Sequence, residues 1–222
     1  MCFSPEVDVA VGIVISAVAV DALRNVRSKK ILPLALLPLL FATHSFASAL
    51  TWCGFNSSVS ANIAEGAEWY FMVVAFVVLP MFVPLAVAAV ETDRRRLVAL
   101  GSVSVLGWIA GIDYLMGIMS GEGTATACSL YIDYNVSGVN EYSGILYLIA
   151  TCGAVLLSSH RTIALWGMSN LLVVVFLGFW NRQGLPSIWC MWAAATSFVI
   201  AMFIRQYREA HERAPIDSSL SE

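Results

Sequence analysis

Seven long apolar runs, separated by short polar stretches, organise the chain. Their cores cover residues 7–23, 31–52, 67–90, 97–119, 141–158, 162–180 and 186–204. Most reach the ~17–25 residues a helix needs to cross a bilayer. The runs lack the alternation of strands, so they predict helices and not a membrane barrel. Only helices and closed barrels satisfy the backbone in lipid. The pattern therefore predicts an all-α fold, a seven-transmembrane helical bundle forming a single domain over residues 1–204. Residues 205–222 follow as a charged tail that extends the last helix, frays beyond Pro215 and is disordered through Asp217, Ser218 and Ser219.

Breaks within the runs refine the bundle. Pro80 and Pro84 predict a kink in the third helix. Pro33 and Pro38 lie near one end of the second. Gly107 and Gly111 form a small-xxx-small pair that lets a neighbouring helix approach closely. The connections 159–161 and 181–185 are very short, so the last three helices form tight antiparallel hairpins. The connections 53–66 and 120–140 are long. No internal repeat is visible, which removes one pointer to a transporter.

Charge gives the bundle an orientation. Of the 12 Lys and Arg residues, all but Arg182 lie on one set of alternate connections and the tail. They are Arg24, Arg27, Lys29, Lys30, Arg94, Arg95, Arg96, Arg161, Arg205, Arg208 and Arg213. The positive-inside bias then places the N-terminus outside and the C-terminus in the cytosol of a multi-pass cell-membrane protein, with the lipid bilayer as its first partner. Composition agrees: 59% of residues are hydrophobic and 12% charged, against about 25% charged in soluble domains. A net charge of −3 provides no basic surface for nucleic acid. The first run follows acidic Glu6 and Asp8 and precedes the positive charges, as in an N-out anchor and not a signal peptide.

Both long connections fall outside, where an oxidising compartment permits a disulfide. Each holds a cysteine, and Cys53–Cys128 is the candidate pair. Cys2–Cys190 is a second conceivable pair, while Cys190 beside Trp189 and Trp192 also reads as a small buried apolar residue. A free N-terminal Cys2, exposed by removal of Met1, is a weak candidate nucleophile or ligand, and no lipobox precedes it. Asn56-Ser57-Ser58 and Asn135-Val136-Ser137 match the glycosylation sequon. Trp52, Trp69, Tyr70, Trp180 and Trp189 fit an interfacial aromatic belt.

Ionisable groups inside the membrane are costly unless paired, so each is a candidate for function. At 1.5 Å per residue, His44 lies about 20 Å up its helix and Asp113 about 24 Å up the fourth. Ser48 sits one turn above His44 on the same face. Glu68 and Asp8 open their helices at the outer edge, where Tyr114 and Asn181 also arrive. Together with Trp189 and Cys190 these residues predict an outward-facing polar pocket. Its two readings are a ligand or acid/base site, with His44 as base and Asp113 orienting it, and a structural interhelical hydrogen bond. His160 and Arg161, at the cytosolic end, read as a phosphate contact or a hairpin cap. Asn170 is mid-membrane and needs a partner. Asp21 and Arg24 read as a surface pair. The three histidines lie too far apart for a shared metal site.

Several motifs together carry a resemblance. Met1-Cys2-Phe3-Ser4-Pro5-Glu6, Asp21-Ala22-Leu23-Arg24, Leu32-Pro33-Leu34 with His44, and Pro80 with Pro84-Leu85-Ala86-Val87 and Glu91 are the first of them. Ala150-Thr151-Cys152-Gly153, Ser159-His160-Arg161, Asn170-Leu171 and the run from Ser187-Ile188-Trp189-Cys190 through Met191-Trp192-Ala193-Ala194 complete the set. Over most of its length the chain resembles an uncharacterised bacterial multi-pass membrane family, a domain of unknown function whose members begin Met-Cys-Phe-Ser-Pro-Glu. The resemblance implies a membrane bundle and brings no activity. Members often carry Gln and Glu where this chain has Ser45 and Ser48. The missing carboxylate weakens a catalytic or metal role for His44.

These residues fit a non-enzymatic membrane protein that binds a lipid or small molecule, or supports a partner complex. The alternatives are a membrane-embedded enzyme near the outer leaflet and a small-molecule transporter. Seven helices with the N-terminus outside resemble metal-dependent ceramidase-type hydrolases, whose histidine set is missing here. A retinal Schiff base is excluded because the last run has no lysine. No cofactor is specified.

Overall fold

The computed structural model describes the backbone of residues 4–219 and the side chains of residues 4–209. Cys2 lies outside them. The described residues contain seven helical rods: α1 (Pro5–Arg24), α2 (Leu32–Phe55), α3 (Ala61–Val90), α4 (Arg94–Met119), α5 (Ser143–Leu156), α6 (Arg161–Trp180) and α7, which has two pieces, Leu185–Ala195 and Phe198–Ser219. Five of these rods contain a stretch long and apolar enough to cross a membrane: α2, α3, α4, α6 and α7. α5 is shorter, and α1 carries Glu6, Asp8, Asp21 and Arg24.

Polar residues set the helix ends. The Ser4 hydroxyl accepts from the Val7 N–H at 3.3 Å ahead of Pro5. Asp93 caps α4, its carboxylate accepting from the Arg95 and Arg96 N–H groups at 2.8 and 3.1 Å. Such oxygens satisfy donors that the first turn leaves free. Within the rods, Ser16, Ser104 and Thr151 donate to the carbonyls four residues back. A hydroxyl satisfied in this way is compatible with an apolar surround.

Each rod lies against its sequence neighbours, and α7 returns to α1 and α2, closing the ring. Gly107 of α4 allows a close approach: a Cβ there would collide with the Pro80 carbonyl oxygen of α3. Pro84 has no N–H to offer that carbonyl, so the glycine meets a backbone already altered by proline. The apolar surface of the bundle faces outward. Val98, Val105, Ile109, Ile112 and Met116 form one exposed stripe on α4, and Phe179 of α6 is 90% exposed. Buried Ser48, Thr51 and His44 lie inside. Soluble monomers rarely expose such continuous apolar area.

Several features depart from the sequence reading. The connection after α4 is not all coil. It forms an antiparallel hairpin of β1 (Gly123–Ala127) and β2 (Ile132–Val136), with Ala125 opposite Tyr134. Ile132, Tyr134 and Val136 are buried and alternate with Asp133 and Asn135, so one face of the hairpin folds onto the bundle. α3 contains a π-helical turn at Val73–Val78 ahead of Pro80, and α5 another at Ile149–Gly153. Asp21 does not pair with Arg24. It takes the guanidinium of Arg205 in two-point geometry, at 2.6 and 2.9 Å, joining α1 to α7. The planar fork of arginine fits a carboxylate in this way.

The Cys53–Cys128 disulfide is not formed: both thiols are free and half-buried. Cys53 is in the last turn of α2. Cys128 is held at the hairpin turn, where its N–H donates to the Tyr131 carbonyl at 2.8 Å. The Ser187 hydroxyl donates to the Ile132 carbonyl and fixes the hairpin to the start of α7. That anchoring decides where Cys128 goes.

Candidate functional site

The two ends of the bundle differ in chemistry. At the basic end, Glu91 follows the last turn of α3 and is buried. Its carboxylate accepts from the Thr92 and Asp93 N–H groups at 2.9 and 3.0 Å, and from the Ser159 N–H and hydroxyl at 2.7 and 2.8 Å. Burial pushes its pKa up, but the Asp93, Ser159 and Thr92 donors outweigh it and bring the group down to about 2. His160 joins the same junction. Its Nε2 lies 3.1 Å from the Val90 carbonyl, and its N–H donates to Ser158 at 3.2 Å. Arg96 donates to the Leu157 carbonyl at 2.9 Å. This constellation ties the α3–α4 corner to the α5–α6 corner. Arg161 is exposed at the start of α6.

Mid-bundle, Asn170 finds partners on two sides. Its amide donates to the Trp166 carbonyl at 2.8 Å, and its oxygen accepts from the Trp189 indole at 3.2 Å. His44 is 0% exposed, with its ring stacked 3.7 Å from Phe71. Phe71 in turn stacks on Tyr134 of β2 at 3.7 Å. Neither ring nitrogen makes a hydrogen bond of ordinary geometry among the described residues, nor does the Ser48 hydroxyl one turn away. Asp113 does not orient His44. Its carboxylate accepts from the Asn140 N–H at 2.8 Å and from the Ser143 hydroxyl, fixing the entry to α5. The pair shares a depth in the sequence reading, but Phe71 of α3, itself stacked on Tyr134, covers His44, while Asp113 bonds to the next connection. Glu68 is half-buried on α3 and does not line the cleft described next.

At the hairpin end a cleft opens between the α3 π turn, α4, α5, β2 and the start of α7. It consists of two adjoining hollows of about 420 and 550 Å³. Phe76, Tyr114, Glu141, Gly144, Arg182 and Pro186 line both. Asp133, Asn135 and Asn140 complete the polar mouth. The floor is Ala75, Ile145, Tyr147, Leu148, Trp189 and Cys190. Tyr114 stacks on Phe76 at 5.0 Å, and Tyr147 meets Trp189 edge-on at 5.6 Å.

The π turn helps build this floor. The Leu79 N–H bonds to the Val74 carbonyl, five residues back. The Ala75 carbonyl is thereby left for the Tyr147 hydroxyl, which donates to it at 2.8 Å. Inserted turns of this kind recur at functional sites. Behind Tyr147, Trp189 and Cys190 lies a smaller cavity of about 40 Å³, lined by Phe41, Leu79, Val83 and Val155 among others. The two spaces share those three residues as a wall.

The mouth holds charge without internal pairing. Among the described residues, Asp133, Glu141 and Arg182 make no ion pair or hydrogen bond through their side chains. Arg182 is exposed, and Asp133 is half-buried. Burial raises the Asp133 carboxyl above the ordinary aspartate value. Three residues expected at a pocket, Tyr114, Trp189 and Cys190, therefore do line one. His44, Ser48, Asp113 and Glu68 do not line this cleft. Asp133, Glu141, Phe76 and Tyr147 were not singled out by sequence. The readable signals were the Ile132/Tyr134/Val136 alternation and the lone basic position of Arg182.

Residues 1–215 match the model of a family of unknown function (DUF6629), and the chain belongs to that family. No curated protein and no solved structure matches it.

Proposed function

From membership in a family without an assigned activity, we propose that the protein is an integral membrane protein that binds a lipid or small amphipathic molecule in the hairpin-end cleft. In this reading the chain crosses the bilayer seven times, with the hairpin outside and the Arg-rich end in the cytosol. The observation that carries it is the cleft itself, charged and unpaired at its mouth and aromatic at its floor. Ligand sites are typically concave and mostly apolar, with a few placed polar groups. The lining offers carboxylates, a guanidinium, phenols, an indole and aliphatic carbon, a set suited to recognising shape and charge. The imidazole of His44 is sealed under Phe71, which supports binding over acid/base turnover.

The test is native mass spectrometry of protein purified in a mild maltoside detergent. Gly144→Phe is the blocking variant. At Gly144 a Cβ meets only the Tyr114 hydroxyl, at 3.8 Å, so the backbone tolerates a side chain that fills the mouth. The wild type should retain a stoichiometric passenger that Gly144→Phe loses while keeping its helical circular dichroism. A passenger retained equally by both proteins, or by neither, counts against the cleft.

A further inference from the structure

The cleft reading leaves the class of ligand open, and the charges at the mouth narrow it. Arg182 is the lone Lys or Arg of the hairpin end, placed against the bias that puts the other 11 of 12 elsewhere. It lines both hollows, and so does Glu141, with Asp133 across the same mouth. None of the three neutralises another within 4.0 Å. An anionic head would meet Arg182 but face two carboxylates. A cationic head would suit the carboxylates but face the guanidinium. A head carrying both charges leaves no like-charge contact and pairs all three side chains. Beneath the mouth, Phe76, Tyr114, Ile145 and Leu148 provide an apolar wall, and Tyr147 with Trp189 closes the floor.

Resting on the cleft reading above, we infer that the ligand is a zwitterionic single-chain amphiphile. Its ammonium group lies between Asp133 and Glu141, its phosphate or carboxylate on Arg182, and its chain along the aromatic floor. The raised Asp133 carboxyl fits a group that lacks a cation in the free protein and gains one with the ligand. Each charge-assisted contact of this sort contributes enough to change affinity by roughly tenfold.

The experiment compares dodecylphosphocholine, dodecyl phosphate and dodecyltrimethylammonium, which share one chain and differ in head group. Free phosphocholine, without a chain, is the fourth probe. Binding to the full chain in maltoside is followed by native mass spectrometry and titration calorimetry. The wild type should take the zwitterion roughly tenfold more tightly than either singly charged amphiphile and should not hold free phosphocholine. Arg182→Gln should weaken the zwitterion and the phosphate, and strengthen the trimethylammonium. Asp133→Asn with Glu141→Gln should weaken the zwitterion and strengthen the phosphate.

Equal binding of the three amphiphiles, abolished in each case by Gly144→Phe, would overturn the head-group inference and keep the cleft. Equal binding that survives Gly144→Phe would overturn both. A preference for one singly charged head, or one that ignores the charge variants, also refutes the zwitterion. Tight binding of free phosphocholine would replace the amphiphile with a small polar ligand.

Discussion

The two ends of the bundle carry similar kinds of side chain in opposite states. At the basic end the buried carboxylate of Glu91 has four donors, and the neighbouring His160 and Arg96 each reach a backbone carbonyl. At the hairpin end Asp133, Glu141 and Arg182 share a mouth and make no ion pair or side-chain hydrogen bond among the described residues. A satisfied polar cluster holds the fold, because removing one member takes a charge-assisted partner from each of the others. An unsatisfied one contributes little to the fold and is free to meet a ligand. The difference separates a joint from a site more clearly than residue type does, since His160 and Glu91 look at least as catalytic on paper as Asp133 and Arg182.

The largest expected effect is at the joint. Glu91→Ala should lower unfolding stability by roughly 2–4 kcal/mol, since several donors lose a charged acceptor. Thermal or chemical unfolding in detergent reads this directly, and an unchanged midpoint would mean that the corner is held by something else. The same carboxylate sets an acid dependence. Its value in the fold, about 2, lies below the ordinary 4.5, so folding favours the charged form. That contribution is complete above the ordinary value and is lost as pH falls toward about 2. Wild-type stability should therefore drop between about pH 6 and about pH 3 by more than that of Glu91→Gln. Parallel curves for the two proteins would remove Glu91 as the cause.

A smaller effect belongs to the wall between the cleft and the inner cavity. Trp189→Phe keeps an aromatic ring but leaves the Asn170 oxygen without its indole donor, at a cost of about 1 kcal/mol. Denaturant titration measures it, and a variant as stable as the wild type would show that this bond adds nothing net. The smallest effect is at the mouth. Asp133→Asn should change stability by less than ~0.5 kcal/mol or raise it, because no partner is lost. A loss approaching that of Glu91→Ala would erase the contrast between the ends and assign Asp133 to the fold.

Much of the helical architecture was legible because lipid imposes a simple rule. A backbone that must satisfy itself locally in apolar surroundings needs long apolar runs, and these are visible one residue at a time. Gly107 was legible for a related reason, since close helix approach needs small side chains whichever partner arrives. The hairpin was harder to see. Its strands of five residues each lie in a polar connection, and the alternation of Ile132, Tyr134 and Val136 is short. Glu91 was hidden by its neighbours: a carboxylate before three arginines reads as a solvated surface group. Asp113 and His44 share a depth, and depth along a helix says nothing about which neighbour a side chain faces.

The sequence by itself determined the helical rods, their approximate limits and the asymmetry of charge between their ends. These follow from composition and spacing along one dimension, where each residue's solvent preference acts locally. Tertiary structure alone decided which polar groups meet. It put Phe71 over His44, Ser159 on Glu91 and Arg205 on Asp21, and it brought Arg182 and Asp133 to one mouth without contact. Those pairings depend on the lateral order and rotation of the helices, which are set by summed contacts among residues far apart in the chain. The cleft is a consequence of that lateral order, formed where the hairpin, the α3 π turn, α4, α5 and the start of α7 converge.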